Sequence, residues 1–305
     1  MLIHRAVESD HARILPFVLA DPLGWVDESI YRRYLASGSY GLDRIWLAEE
    51  SPRIRGCAIW YGSPSGDHPL ILDCLWVDRD VMDRAGLGAA LMKAASCPFL
   101  FHLFLKPDWR DDPMSYAEVE WRVAASRAAD LRCQLERLRF EWTAEAGLPL
   151  PSERLIFFPE PDDDVFLNVF QQVAIGSLDH GTIESVARLG LEGHARETLA
   201  CHRGMRGDRA WWRTAFTRNG ERVGFTIPSA NEDSHVIGYL GVVPEMRGHG
   251  YAVDLLAEAT RILAGDGAER VRADTDLTNV PMARTFERAG YRNFGVRLVL
   301  SGTRN

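Results

Sequence analysis

The residues with the clearest chemical promise lie between positions 242 and 252. Val242-Val243-Pro244-Glu245-Met246-Arg247-Gly248-His249-Gly250-Tyr251-Ala252 runs from an apolar stretch, through a proline turn, into a helix that opens at two glycines. The first turn of a helix carries amide N–H groups with no partner inside the helix. Glycines there let an anion approach the backbone, and the helix dipole favours negative charge at that end. The chemistry these residues suit is the cradling of a phosphate or pyrophosphate. The spacing is Gly-x-Gly, with no third glycine at the dinucleotide-binding offset and no Gly-Lys-Ser/Thr after it, so neither nucleotide-binding fingerprint applies.

The order Val-x-Pro-Glu-x-Arg-Gly-x-Gly-x-Ala resembles the central motif of the GNAT superfamily of N-acyltransferases. Asn279-Val280-Pro281-Met282-Ala283-Arg284-Thr285-Phe286-Glu287-Arg288-Ala289-Gly290-Tyr291 resembles the Asn-x-x-Ala…Tyr-x-x-x-Gly-Phe segment that follows it in that family. The resemblance implies that Arg247, Gly248, His249, Gly250, Tyr251 and Ala252 hold the pyrophosphate of an acyl-CoA, acetyl-CoA being the expected donor. It also implies that Gly241, Val242 and Val243 run along the pantetheine arm, on a strand splayed from its neighbour, and that Asn279 and Phe286 line the far wall. By residue type alone, Arg247 is equally a solvated surface arginine and Asn279 a helix N-cap. Two positions depart from the pattern. Glu245 stands where Gln or Arg is frequent. Phe286 stands where many members have a tyrosine that protonates the departing thiolate. A thiol pKa near ~8.5 leaves the thiolate a fair leaving group without help, and Tyr239 and Tyr251 are the phenols that remain for that role.

An alkylamine acceptor has a pKa near ~10 and needs a base at neutral pH. Three candidates fall near the expected strand split: His235 at the start of the strand leading to the cradle, and Asp274 and Asp276 at the end of the next one. Each also has an ordinary reading, as a surface histidine, a solvated strand-end carboxylate or a cap for the following helix. The simplest mechanism is direct attack of the amine on the thioester, with strand amides polarising the carbonyl as an oxyanion hole does.

These residues need elements to position them. Residues 235–243 read as an apolar strand. Residues 251–263 form a helical pattern with Ala252, Leu255, Leu256, Ala259, Ile262 and Leu263 on one face, ended by Gly265 and Gly267. A strand over 271–275, a helix over 281–289 and a strand over 291–300 complete the half. Upstream lie strands at 155–158, 211–217 and 223–227 and helices at 162–173 and 182–199. Trp211 and Trp212 open one of those strands, so at most one of them shares a face with the core. Ala146-Gly147-Leu148-Pro149-Leu150-Pro151-Ser152 marks a linker.

Before that linker the same order of elements occurs, from a strand at 3–7 to a strand at 140–143 expected to close the first sheet. Gly86-Leu87-Gly88-Ala89-Ala90-Leu91 echoes Gly248-His249-Gly250-Tyr251-Ala252-Val253. The expectation is therefore a mixed α/β chain of two tandem GNAT-like domains, residues 1–150 and 151–305, each a mostly antiparallel sheet flanked by helices. This layout resembles double-GNAT acyltransferases such as mycothiol synthase in architecture only. The first domain reads as a worn copy. Asp78, Asp80 and Asp83 precede its glycine pair, and negative charge beside a phosphate site is unfavourable.

Composition sets the outer limits. A chain of 305 residues has room for two cores. A formal net charge of −8 argues against a nucleic-acid partner. Cys57, Cys74, Cys97, Cys133 and Cys201 are odd in number and contain no Cys-x-x-Cys, which suits reduced thiols in a cytoplasmic protein and neither a disulfide framework nor a metal site. The start lacks a signal-peptide pattern, and the apolar run at 97–105 is too short to span a bilayer. The expected activity is acetyl-CoA-dependent N-acetylation of a primary amine on a small molecule. The other readings are a CoA-binding sensor or scaffold without catalysis, and a GNAT-fold enzyme of different acyl-CoA chemistry such as decarboxylation.

Overall fold

A computed structural model describes residues 1–62, 70–95, 99–231 and 234–302, so Cys97 lies outside the described residues. Contacts group the chain into two units: Met1–Glu136 with Val296–Asn305, and Arg137–Gly295. The first unit contains β1 (Leu2–Arg5), α1 (His11–Leu19), α2 (Glu28–Ala36), β2 (Ile45–Glu50), β3 (Arg53–Tyr61), β4 (Leu70–Val77), α3 (Arg84–Ala94), β5 (Phe99–Leu105) and α4 (Pro113–Ala128). Strand β6 (Cys133–Thr143) leaves the first unit and enters the second. There follow β7 (Leu155–Pro159), α5 (Asp163–Ala174), α6 (His180–Gly204), β8 (Arg213–Thr217), β9 (Arg222–Ala230), β10 (His235–Val242), α7 (Tyr251–Gly265), β11 (Arg270–Asp276) and α8 (Val280–Arg288). Strand β12 (Arg292–Ser301) carries the chain back to the first unit.

In the second unit the strands run β7-β8-β9-β10-β11-β6, and among the described residues only the β10–β11 pair is parallel. In the first unit they run β1-β2-β3-β4-β5, and the end of β12 joins β5 from Val296 opposite Leu105 to Leu300 opposite Phe101. The closing strands are thus exchanged relative to expectation. Residues 140–143 do not close the first sheet; they pair with β11, Thr143 opposite Arg270 and Phe140 opposite Ala273. Hydrophobic alternation cannot select between two open edges, but charge can. Arg137 stands opposite Asp276, Arg139 opposite Asp274 and Glu141 opposite Arg272. Three opposite-charge pairs in one register favour that edge.

Both faces of the second sheet are covered. Phe166, Phe170 and Val173 of α5 and Ala195 and Leu199 of α6 pack on Phe225 and Ile227. On the other face Leu256 and Leu263 of α7 and Phe286 of α8 pack on Val271, Ala273, Phe140 and Trp142. Trp212 is in the first of these layers and Trp211 leans on the second; they lie not in the strand expected from 211 but at a short 3-10 turn (Arg209–Trp211) just before β8. α7 carries its apolar stripe inward through Leu255, Leu256, Ala259 and Leu263.

Candidate active site

The parallel strands β10 and β11 start together and then part. His235 pairs with Val271 and Val236 with Arg272, and no further rung joins the two strands among the described residues. On its other edge β10 stays bonded to β9 as far as Val242 opposite Gly224, through a bulge between Ile237 and Tyr239. A bulge adds a residue to one strand and increases its twist, which turns β10 away from β11. Gly238 sits at this bulge because a side chain there would run into Ser229 and the carbonyl of Ile227. Ahead of the bulge, residues 239–242 form one wall of a wedge that widens toward the ends of both strands. Gly241 lies bare against Val173 and Phe225, and the Val243 side chain is buried.

Past β10 the chain makes one short turn at Pro244–Met246 and reaches the glycines. Gly248 has φ +83° and Gly250 φ +76°, left-handed conformations that other residues adopt at a cost. A Cβ at either position would meet open space. The amides of Gly248, His249, Gly250, Tyr251 and Ala252 donate to no acceptor among the described residues. These are the properties a pyrophosphate cradle requires: bare backbone, unpartnered N–H groups and the start of a helix of 15 residues.

Two arginines hold the loop, in ways the sequence did not reveal. The side chain of Arg247 turns away from the cradle. Its Nε donates to Val242 O at 3.1 Å, Nη1 to Ile175 O at 2.7 Å and Gly176 O at 3.1 Å, and Nη2 to Val173 O at 2.8 Å. The guanidinium thus caps the C-terminal end of α5, where a cation is favoured. Its own amide donates to Pro244 O at 3.2 Å. Arg247 therefore positions the turn, while the exposed amides come from the residues after it. Arg154 takes the carbonyl side of the same loop. It donates to His249 O at 2.9 Å and Gly250 O at 3.3 Å, forms an ion pair with Asp254, and lies over the Tyr251 ring at 4.9 Å. With the carbonyls held by Arg154, the amides of the same peptides face the other way. No motif announces Arg154, because it lies about a hundred residues upstream on the approach to β7.

The remaining candidates separate in space. His235 is at the closed end of the wedge, with Nε2 3.2 Å from Asp266 at the end of α7. Asp276 is 0% exposed. Its Oδ2 accepts the His180 amide at 2.6 Å and Oδ1 lies 3.4 Å from Arg137 Nε, so it anchors the first turn of α6. Asp274 is partly exposed, 3.8 Å from Arg139. By register it stands three residues beyond Val271, as Gly238 stands three beyond His235, so it is level with the bulge. Asn279 caps α8 through Met282 N at 3.3 Å. Phe286 is 2% exposed and stacked on Phe140 at 4.9 Å, with Tyr291 at 5.4 Å, so it belongs to the core. Burial raises the Tyr239 hydroxyl to about 12.

The first unit differs at the corresponding place. β4 and β5 also part, after pairing Leu70, Ile71 and Leu72 with Phe99, Leu100 and Phe101. The glycine pair after β4 is different. Gly86 and Gly88 lie inside α3, and Gly88 brings α3 close to Ala125 and Trp121 of α4. The Gly86 amide donates to Asp83 Oδ1 at 2.7 Å. The chain's own carboxylate occupies the donor that the second unit leaves open.

A mixed sheet, a parallel pair parted at a bulge and a left-handed glycine turn leading into a helix define the GNAT class of fold. Residues 183–291 match the acetyltransferase (GNAT) family model. Among solved structures, the chain is similar to a GCN5-related N-acetyltransferase from Sphaerobacter thermophilus, 15% identical over 98% of this chain and 94% of that one, with a TM-score of 0.61. It is also similar to a GCN5-related glucosamine N-acetyltransferase region of a fungal multi-domain β-N-acetylglucosaminidase, 15% identical over 98% of this chain and 38% of that one, TM-score 0.55. At such identities the likeness is one of fold. No curated protein sequence matches the chain. Among the described residues no helix is long and apolar enough to cross a membrane.

The Arg154 contacts give a first expected result. Arg154→Met removes the donors that orient the loop but leaves the glycines and helix intact. Titration of coenzyme A is expected to show about a tenfold loss of affinity, the size of one or two net hydrogen bonds. Unchanged affinity would mean the loop holds its shape alone.

Proposed function

We propose that the protein is an acetyl-CoA-dependent N-acetyltransferase acting on a primary amine of a small molecule. The observation that carries this reading is the wedge between β10 and β11, closed at a bulge and open onto the unpartnered amides of Gly248 to Ala252. From the cradle back to Gly238 is about 16 Å of extended strand, a length comparable to an extended pantetheine arm. A donor with its pyrophosphate in the cradle then presents its thioester beside the bulge, where Asp274 is level with it.

In this reading the amine nitrogen forms a bond to the thioester carbonyl carbon, and the negative charge on oxygen is met by backbone N–H groups of the bulge. The C–S bond then breaks and CoA leaves as its thiolate. Asp274 takes the proton from the amine. With a phenylalanine buried at position 286, the thiolate leaves without a phenol beside it and gains its proton from solvent. His235 and Asp276 take structural duties, at the end of α7 and the start of α6.

The test joins binding and turnover. Calorimetric titration of acetyl-CoA is expected to give one site per chain, and free thiol is expected to appear together with acetylated product when small primary amines are added. Asp274→Asn should lower kcat by about a hundredfold or more with little change in acetyl-CoA affinity. Acetyl-CoA binding with no thiol release from any amine would indicate a sensor. Thiol release or thioester loss without an acetylated amine would indicate other acyl-CoA chemistry.

A further inference from the structure

A cavity of about 220 Å³ in the second unit has His202, Arg203, Arg206, Arg209, Trp212 and Ser229 in its lining. It adjoins the bulge. Ser229 pairs with Val236, and its hydroxyl lies where a side chain on Gly238 would go. His202, on the cavity wall, stacks on Tyr239 with centroids 5.6 Å apart and planes at 12°. A molecule in the cavity is therefore separated from the proposed thioester position only by the bulge.

The lining contains three arginines and no carboxylate. Arg203 and Arg209 share one counter-ion, Asp163, which is not part of the lining. Arg209 lies over the rings of Trp212 at 4.0 Å and Phe166 at 4.8 Å; its Nη2 is 3.1 Å from Asp163 Oδ1, while its Nη1 is buried without a hydrogen-bond partner among the described residues. The side chain of Arg206 is exposed and pairs with nothing among the described residues, while its carbonyl is anchored by Ala230 N at 2.7 Å. His202 Nδ1 is also buried without a partner. Burial pushes the His202 pKa down to about 4, so the imidazole is neutral near pH 7 and does not repel the arginines. Guanidinium groups are planar forks that suit carboxylate and phosphate oxygens, and such charge-assisted bonds are roughly twice as strong as neutral ones.

We infer that this cavity is the acceptor pocket and that the acceptor is a small amine bearing an anionic group, a carboxylate or phosphate, held by Arg206 and Arg209 against Trp212. The inference rests on the proposed acetyl transfer and adds the acceptor's class to it. The volume suits a molecule of amino-acid size, below the range of drug-sized pockets. The pattern Arg203-x-x-Arg206-x-x-Arg209 is present in the sequence, but only the turn between α6 and β8 gathers it around one space.

The experiment measures acetyl transfer to matched acceptors: the protein amino acids beside the amines left when their carboxylate is removed, and phosphoethanolamine beside ethanolamine. The anionic member of at least one kind of pair should have a kcat/KM at least about tenfold higher, and which pair responds tells carboxylate from phosphate. Arg206→Gln should erase that preference by raising KM for the acceptor, with acetyl-CoA affinity unchanged, and Arg206→Lys should retain part of it. Neutral amines used as well as their anionic partners, or an Arg206→Gln enzyme with an unaltered preference, would overturn the inference. If no amine is acetylated, the same compounds are titrated calorimetrically into wild type and Arg206→Gln. Anion-selective binding lost in the variant would uphold the pocket while sinking acetyl transfer, and absent or unselective binding would sink the pocket.

Discussion

Replacing Gly250 with aspartate is expected to lower acetyl-CoA affinity by at least a hundredfold while leaving the protein folded. Gly250 has φ +76° and is the residue from which α7 starts. Among residues with a Cβ, Asn and Asp accept the left-handed region most readily, so the backbone conformation survives at a cost of about 1 kcal/mol. The new side chain has room, because nothing lies within 4 Å of a Cβ at that position. That same room is what the pyrophosphate needs. A carboxylate placed there competes for the amides of Tyr251 and Ala252 and repels the phosphates. The first unit already contains this arrangement, in the form of Asp83 bound to the Gly86 amide. Gly250→Asn, with the same shape and no charge, separates the effects: it should lose clearly less affinity than the aspartate variant. Gly248→Asp should behave as Gly250→Asp does, since its φ of +83° and its open surroundings are equivalent. Calorimetry reads the affinities, and circular dichroism checks the fold. Acetyl-CoA binding to Gly250→Asp with wild-type affinity would remove the cradle from this loop.

The glycine turn was legible because its backbone conformation depends on residue type. Glycine adopts the left-handed region most readily, so two glycines one residue apart before a helix start announce the backbone. The wedge was legible only through resemblance, since nothing in the apolar run of β10 says that its pairing with β11 stops after Val236. Repetition misled where it was read by letters. Gly86 and Gly88 match Gly248 and Gly250 in spacing, yet they lie inside the first turns of a helix, and Gly88 serves close packing against α4. The difference lies in Asp83, whose side chain caps α3 and so draws the glycines into it. Exchange of the closing strands had a sequence signal that alternation hides: Arg137, Arg139 and Glu141 complement Asp276, Asp274 and Arg272 when β6 and β11 run antiparallel. Arg154, Arg206 and His202 carry no such signal. Each acquires its role from a distant segment that only the folded chain brings near.

Glu118→Ala should destabilise the protein by about 3 kcal/mol, because it takes from the buried Arg122 one of its two carboxylate partners and leaves Asp21 as the other. Glu118 of α4 is 5% exposed and Arg122, one turn on, is 1% exposed. Glu118 accepts from Arg122 Nη1 at 2.7 Å, from Arg84 at 2.9 and 3.1 Å, and from Trp121 Nε1 at 2.7 Å. Arg84 and Arg122 each lie 4.4 Å from the Trp121 ring. Arg122 also donates to Asp21 at 2.7 Å and to Leu75 O at 3.2 Å, so it cannot swing out to water without breaking both. Burial alone would raise the Glu118 pKa; the hydrogen bonds from Arg84 and Trp121 and the charge and hydrogen bond of Arg122 outweigh it and hold the group down to about 2. The sign for stability follows. A carboxyl depressed from its ordinary 4.5 to about 2 stabilises the fold fully above pH 4.5. Roughly 3 kcal/mol of that stabilisation is lost as pH falls from 4.5 toward 2. Urea unfolding at pH 7 should therefore show the full deficit for Glu118→Ala and a smaller one for Glu118→Gln, which keeps acceptors for Trp121 and the arginines. Between pH 4.5 and 2 the wild type should lose stability more steeply than either variant. A Glu118→Ala protein within about 0.5 kcal/mol of wild type at pH 7, the range of ordinary surface changes, would show the cluster to be structurally idle. The network also accounts for the fate of the first glycine loop. Arg84, at the helix start where an incoming phosphate would look for positive charge, is already bound to Glu118, and Asp83 beside it holds the Gly86 amide. What the second unit leaves open for a ligand, the first has turned inward to hold α3 on α4.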